Sequence, residues 1–529
     1  MRVLYNARIY PLTNGGDCVT AIAVHDGQVM MTGSDDEISA LMTRFPGAKA
    51  QDMHGRTILP GLTDAHLHLQ HYAYALQMID CETATQAECI RRVQERARST
   101  PPGVWVRGHG WNQNDWPEGF GHARDLDGAA PDHPVYLTAK SLHAAWANTA
   151  ALRLASITRA TPDPEGGVIG RDEDGTPNGL LFESAMSLVG DAIPAPTVTE
   201  VGAALETAQQ NLWQMGITGV HDYDRRQCFA ALQMLQQEGK LHLRVIKSIP
   251  LEDLDHAINL GLRTGFGNDY LRIGSVKLFA DGALGPSTAA MLQPYEGQPE
   301  NTGILLLDNE EIFEHGQTAS SHGLSMAIHA IGDRANHEVL LAYAQLRGYE
   351  RQHSLPHLRH RIEHVQVLHP DDYGRLAELN VIASVQPIHA TSDMFTADRL
   401  WGDRSAGAYA FHTLLDKGTK MCFGSDAPVE SPNPFLGLHA AVTRRRPDGS
   451  PTADGWYPRQ RLDLLQALHG YTTGPAFAAG LEDRLGKLAP GCYADLIVLD
   501  EDPFSLPAEA LHRLHPTATM VGGEWVWQA

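Results

Sequence analysis

Apolar residues in this chain cluster in short runs, and the longer stretches between them repeat apolar positions at helical spacing. The runs are "ILPGLTDAHLHL" (58–69), "ITGVHD" (217–222), "LRVIKSI" (243–249), "LRIGSVKLFADG" (271–282), "LSMAIHA" (324–330), "RHRIEHV" (359–365), "VIASVQP" (381–387) and "KMCFGSD" (420–426). Each is short and mostly bounded by Gly, Pro or polar residues, which suits a buried strand. A stretch such as "RANHEVLLAYAQLR" (334–347) has helical periodicity, with Asp333 as its expected cap. Eight strands alternating with helices predict an α/β fold: parallel βα units closed into a (β/α)8 TIM barrel.

Both ends of the chain read differently. "RVLYNARIY", "AIAVHDGQVMMTG" and "DMHGRTILPG" near the start, and "RLGKLAPGCYADLIVLD" and "ATMVGGEWVWQA" near the end, alternate strand-like pieces with turns. We expect a sheet built from both termini, residues 1–56 and 481–529, around a barrel spanning 57–480. Residues from about 80 to 200 exceed any ordinary βα connection. They carry strands of their own, "VWVRGHGW" and "PVYLTAKS", and are expected to form a subdomain inserted after the first barrel strand, over the barrel mouth.

Composition narrows the setting. Hydrophobic residues make up 43% and charged residues 20% of 529, as in an ordinary soluble protein. A formal charge of -22 opposes binding to nucleic acid or anionic membranes. No apolar run approaches the roughly 18–20 residues that span a bilayer, and the N-terminus lacks a signal-peptide pattern. The six cysteines show no C-x-x-C pair. Reduced thiols and a cytoplasmic location are therefore expected.

The candidate chemistry lies at strand ends, where barrels of this kind place their active sites. The first run ends in His66 and His68; residues two apart on a strand share a face, so both imidazoles aim at one point. A shared cation would suit such a pair, although two histidines hydrogen-bonded in a core would also explain it. Lys277 lies on the fourth run with Asp281 beyond it, His329 ends the fifth, His364 the sixth and Asp426 the eighth. Each alone has an ordinary explanation. Six potential ligands (His66, His68, Lys277, His329, His364, Asp426) at the same end of five strands point to one metal site. Neutral imidazoles and carboxylates suit zinc and similar ions. A metal acidifies water, and Asp426 beside it can take the proton and return it to a leaving amine. That chemistry is hydrolysis of an amide-like C–N bond. On the substrate side we expect Trp111, His143, Asp281 and Gln386, with Trp116 and Phe395 hinting at an apolar or aromatic group. The segments "GHGWNQNDW" and "PIHATSDMF" are the expected pocket linings, whereas His71, His109, His221 and several other histidines show no distinguishing pattern.

The phrases "LPGLTDAHLHL", "GITGVHD", "VKLFADGALGPSTAA", "AIHAIGDRA", "RIEHVQ", "ASVQPIHATSDM" and "FGSDAPVESPNP" together resemble the amidohydrolase superfamily. Within it the chain looks like the YtcJ-like branch, which includes N-substituted formamide deformylases, and the resemblance implies a distorted (β/α)8 TIM barrel with a small β-sandwich formed by both termini. The resemblance implies that His66 and His68 hold the more buried metal and that His329 and His364 hold a second. It further implies that a carboxylated Lys277 bridges the two and that Asp426 touches metal and handles the proton of the attacking water. Deaminases of the superfamily place a Glu about three residues after the strand-five His and lack the lysine. Here Ala330, Ile331, Gly332 and Asp333 follow His329, which disfavours deamination. The expectation is one or two divalent transition-metal ions, zinc foremost, and a small-molecule substrate, with no nucleic acid or membrane partner and a homodimer left open. The alternatives are ester, carbamate or cyclic-amide hydrolysis at the same centre, or an inactive barrel acting as a binding protein. The complete ligand set argues against the last.

Overall fold

Each of the eight apolar runs contains a strand of a single parallel sheet. The computed structural model describes residues 1–13, 17–113, 116–141 and 143–529. The barrel strands, in spatial and chain order, are Leu62–Leu67, Ile217–Asp222, Arg244–Pro250, Leu271–Phe279, Met326–Ala330, Arg361–His364, Ile382–Val385 and Met421–Phe423. Every neighbouring pair is parallel. The first and last strands meet through individual bonds. Ser425 Oγ donates to Asp64 Oδ2 (2.5 Å), Asp426 N to the His66 carbonyl (2.7 Å) and His68 N to the Ala427 carbonyl (2.9 Å). Gly424 permits this approach, because a Cβ there would lie 2.5 Å from His66 N. The result is the expected (β/α)8 TIM barrel.

One expected strand divides in two. Thr57–Pro60 pairs antiparallel with Leu496–Leu499 in the terminal sheet, and only Leu62–Leu67 belongs to the barrel. The break falls at Gly61, whose N–H donates to the Asp495 carbonyl (2.9 Å) and where a Cβ would sit 2.4 Å from Thr218 Oγ1. The chain changes sheets where only glycine fits. A smaller correction concerns Asp333. It is the first residue of helix Asp333–Gln352, whose cap is Gly332, and its Oδ1 instead accepts from Leu292 N (2.8 Å).

The termini form two sheets. Arg2–Tyr5, Ala21–His25, Gln28–Gly33 and Lys49–Asp52 make one; Arg8–Ile9, Thr57–Pro60, Leu496–Leu499, Pro516–Val521 and Glu524–Gln528 make the other. Leu4, Ile22, Val24, Ile58, Leu496, Val498 and Met520 share one core between them. Arg244 on the third barrel strand reaches Asp495 through two buried bonds (2.6 and 2.9 Å), tying barrel to sandwich.

Residues 73–200 form a compact unit of their own. Its six-stranded sheet runs Gly167–Arg171, Pro177–Glu183, Ala144–Ala147, Val135–Ala139, Val106–Trp111, Ile79–Asp80. Trp111, Trp116 and Trp146 pack at its centre, with ring centroids 6.0 and 5.9 Å apart. No described helix is long and apolar enough to cross a membrane.

Candidate metal centre

His66 lies on the first barrel strand, and His68 just beyond it, before helix Leu69–Ala75. Asp426 faces both from the end of the eighth. Nε2 of each histidine is 3.5 Å from Asp426 Oδ1, so three potential ligand atoms lie within 4.8 Å of one another. The opposite ring nitrogens are held from behind. His66 Nδ1 donates to Glu363 Oε2 (2.6 Å) and His68 Nδ1 to Asp224 Oδ1 (3.3 Å). Such bonds fix the tautomer and turn the Nε2 lone pairs inward, as metal-ligating histidines require. Glu363 is itself clamped by Arg361 (2.5 Å) and the Tyr223 hydroxyl (3.0 Å).

The remaining expected ligands close the other side. His329 Nε2 donates to the Gly282 carbonyl (2.8 Å) and His364 Nδ1 to Gln386 Oε1 (2.9 Å). Their rings are 4.5 Å apart, and His364 is 4.9 Å from His66. Lys277 Nζ lies 4.6 Å from the centroid of Tyr223, a ring that stacks on His66 at 4.2 Å. The lysine makes no hydrogen bond or ion pair among the described residues. The structure thus gathers all six sequence-derived candidates into one neighbourhood. His364, Val365 and Asp426 adopt left-handed φ values of 76°, 45° and 61°. Such strain is uncommon in non-glycine residues and collects at functional sites.

Electrostatics favour a cation. Burial, reinforced by Lys277, lowers His66 to about 4 and His329 to about 3. Burial, with His329 adding to it, also holds His364 well below the ordinary value. These imidazoles are neutral at pH 7, the form that binds metal. His68 differs: burial lowers it, but Asp224 and Asp426 outweigh burial and raise it to about 9, so in the metal-free site it carries a proton that a bound metal would displace. For Asp426, burial would raise the carboxyl, yet His68, His66 and His364 together hold it well below the carboxylate range. Burial lowers Lys277 to about 8. The donor set and its charge balance fit a divalent ion.

The expected substrate contacts fare differently. Asp281 is buried, and its carboxylate accepts the N–H groups of Ala290, Ile331 and Gly332 (2.8–3.0 Å). It braces the turn beside His329, a structural use of the carboxylate that its burial favours. Trp111 belongs to the core of the 73–200 unit and donates to the Leu137 carbonyl (2.9 Å), a packing role, as is that of Trp116. His143 is exposed and paired with Glu183 (3.0 Å). Phe395 is exposed beneath Arg446. Gln386 orients His364 through Oε1, and its Nε2 has no partner. Asn114 and Asp115 of the tryptophan segment, and Leu142, lie outside the described residues.

Sequence reasoning missed four residues. Glu363, Asp224 and Tyr223 support the ligands from behind, and His389 lies buried beside His364 and Asp426. Charged Arg361 and Glu363 alternating inside a buried strand were the available signal for the first. A cavity of about 660 Å³ opens from the site; its lining includes His68, Tyr223, Asp224 and Lys277 together with the apolar Leu251, Phe279, Leu306 and Leu307.

Comparison with known proteins agrees with this geometry. A model described as the amidohydrolase family matches residues 49–527. YtcJ of Bacillus subtilis (strain 168) is 34% identical, over 98% of this chain and 98% of that protein. N-substituted formamide deformylase of Arthrobacter pascens is 29% identical, over 98% of this chain and 97% of its own. The crystal structure of an uncharacterized metal-dependent hydrolase from Pyrococcus furiosus matches with a TM-score of 0.80 at 30% identity, over 95% of this chain and 100% of that one. With its barrel, its terminal sheets and its cluster of strand-end ligands, the chain belongs to the amidohydrolase family, in the YtcJ-like branch.

Proposed function

We propose that this hydrolase cleaves a non-peptide, amide-like C–N bond in a small molecule, using a divalent metal, zinc foremost. The observation that carries the reading is the convergence of His66, His68 and Asp426, each histidine fixed from behind by a carboxylate. Lys277, His329 and His364 would complete a second position. The deformylase relative supports an N-substituted formamide or a related small amide as substrate.

Bound here, a divalent ion would supply Lewis acidity, polarising the scissile carbonyl and making water acidic enough to ionise near neutral pH. Asp426 takes the proton of the attacking water on its carboxylate and returns it to the departing nitrogen. The C–N bond breaks, giving a carboxylic acid and an amine. Glu363 and Asp224 keep the two imidazoles in register while this happens. Lys277, lowered to about 8 by burial, has a substantial neutral fraction near pH 8. A neutral amine can add CO2 and lose a proton, and the anionic carbamate this would leave on Lys277 would help hold a divalent cation. The apolar wall of Leu251, Phe279, Leu306 and Leu307 suits a hydrophobic substituent.

The test is a panel of N-substituted formamides, other small amides and esters, assayed with metal analysis before and after chelation. Amide hydrolysis should vanish with the metal and return with zinc. Full activity in metal-free protein, or turnover of esters alone, would overturn the reading.

A further inference from the structure

His389 follows the seventh barrel strand, on helix Pro387–Ser392. It is 6% exposed, and neither ring nitrogen has a hydrogen-bond partner among the described residues. Its ring lies parallel to that of His364, 6.3 Å away. One nitrogen falls within 4.8 Å of ligand atoms of both His364 and Asp426, a gap that one oxygen or one ion would fill.

The question is which. Metal-ligating histidines have their second ring nitrogen held by an acceptor. His66 has Glu363, His68 has Asp224, His329 has the Gly282 carbonyl and His364 has Gln386. His389 has no such acceptor among the described residues. Leaving a buried imidazole wholly unpaired is unfavourable, unless its partner arrives with the ligand. Gln386 Nε2, three residues away, is likewise buried and unpartnered. Both polar groups border His364.

We propose that His389 is a substrate-contacting residue and not a metal ligand. Its ring N–H donates to the carbonyl oxygen of the scissile group, and the bond strengthens as negative charge builds on that oxygen. The inference rests on the hydrolytic reading of the site, and its test separates the two.

The variants are His389→Phe, which removes the donor, and His389→Gln, which keeps one. Both should retain full metal content, and His389→Phe should match or exceed the wild-type Tm. For His389→Phe, kcat should fall roughly 10²-fold, the scale of losing one such donor, with a smaller change in KM and partial recovery in His389→Gln. Acetate binding to the zinc-loaded protein, measured by calorimetry, reads the contact without turnover; it should weaken about tenfold in His389→Phe. If the wild type hydrolyses no amide, the proposed function fails while the acetate titration still decides on His389. Loss of metal in His389→Phe would make the residue a ligand. Unchanged acetate affinity at full metal content would make it packing. Either result overturns the inference.

Discussion

Among single residues, Asp426 and Lys277 have the roles most open to direct test. Asp426 is within 3.5 Å of two histidines and is held ionised by its neighbours. Asp426→Asn preserves size and removes the proposed base, so kcat should fall at least ~10²-fold while circular dichroism and Tm stay near wild type. Near-normal turnover would give the proton to another group. Lys277 is buried among aromatic rings without an ion-pair partner among the described residues. An ammonium beside one or two dications would be repelled, whereas a carbamate would be attracted. Lys277→Ala should therefore lose metal and activity together, and millimolar propionate with added zinc should restore part of both. Full metal content in the untreated variant would make Lys277 structural. These candidate ligands were legible in the sequence because each lies on or just past an apolar run. Their supports were not: Asp224 lies beyond its strand, and Glu363 looks like an ordinary core charge until His66 is seen 2.6 Å away.

For the strands and helices, the site depends on how closely neighbours approach. Gly424 brings the eighth strand against the first, with a hypothetical Cβ 2.5 Å from His66 N and 2.8 Å from its Cβ. Backbone cannot yield as a flexible side chain can. Gly424→Ala should push Asp426 away from His66 and His68, costing ~1–3 kcal/mol of stability and disproportionately more metal affinity; equal zinc binding in variant and wild type would refute this. Helix Asp333–Gln352 is held by Glu350, which accepts from His360 (2.8 Å) and Arg347 (2.7 Å). Burial would raise the Glu350 carboxyl, but His360 and Arg347 outweigh it and lower it from 4.5 to about 2. A lowered folded-state value gives stability that is present above about pH 4.5 and lost as the pH falls towards about 2. Glu350→Gln should lose roughly 3 kcal/mol at neutral pH, with urea-unfolding curves that converge on the wild type across that acid window. A difference independent of pH would show that the charge is not what matters.

Across the whole molecule, the termini and the barrel form one compact unit, residues 1–72 with 201–529. Asp495 is the joint: its carboxylate takes two bonds from Arg244, and its carbonyl takes the N–H of Gly61 where the chain passes from sandwich to barrel. Breaking a buried pair from one side leaves the other charge uncompensated. Asp495→Asn should cost ~3–5 kcal/mol and lower Tm without altering the kcat of the folded fraction. A selective loss of activity at unchanged Tm would place the joint's influence in the active site instead.

The sequence by itself determined the barrel, the pairing of the two ends and the ring of candidate ligands. All three follow from local periodicity: a strand alternates, a helix repeats, and a polar residue closing an apolar run stands out. It did not determine that the first run serves two sheets, because the break at Gly61 depends on Thr218, far along the chain. Nor did it show that Asp281 spends its carboxylate on three backbone N–H groups, that Trp111 is core, or that His389 is buried without a partner. Whether a polar side chain supports, packs or waits for a ligand is decided by the atoms around it. Those atoms come from distant segments that only folding brings together.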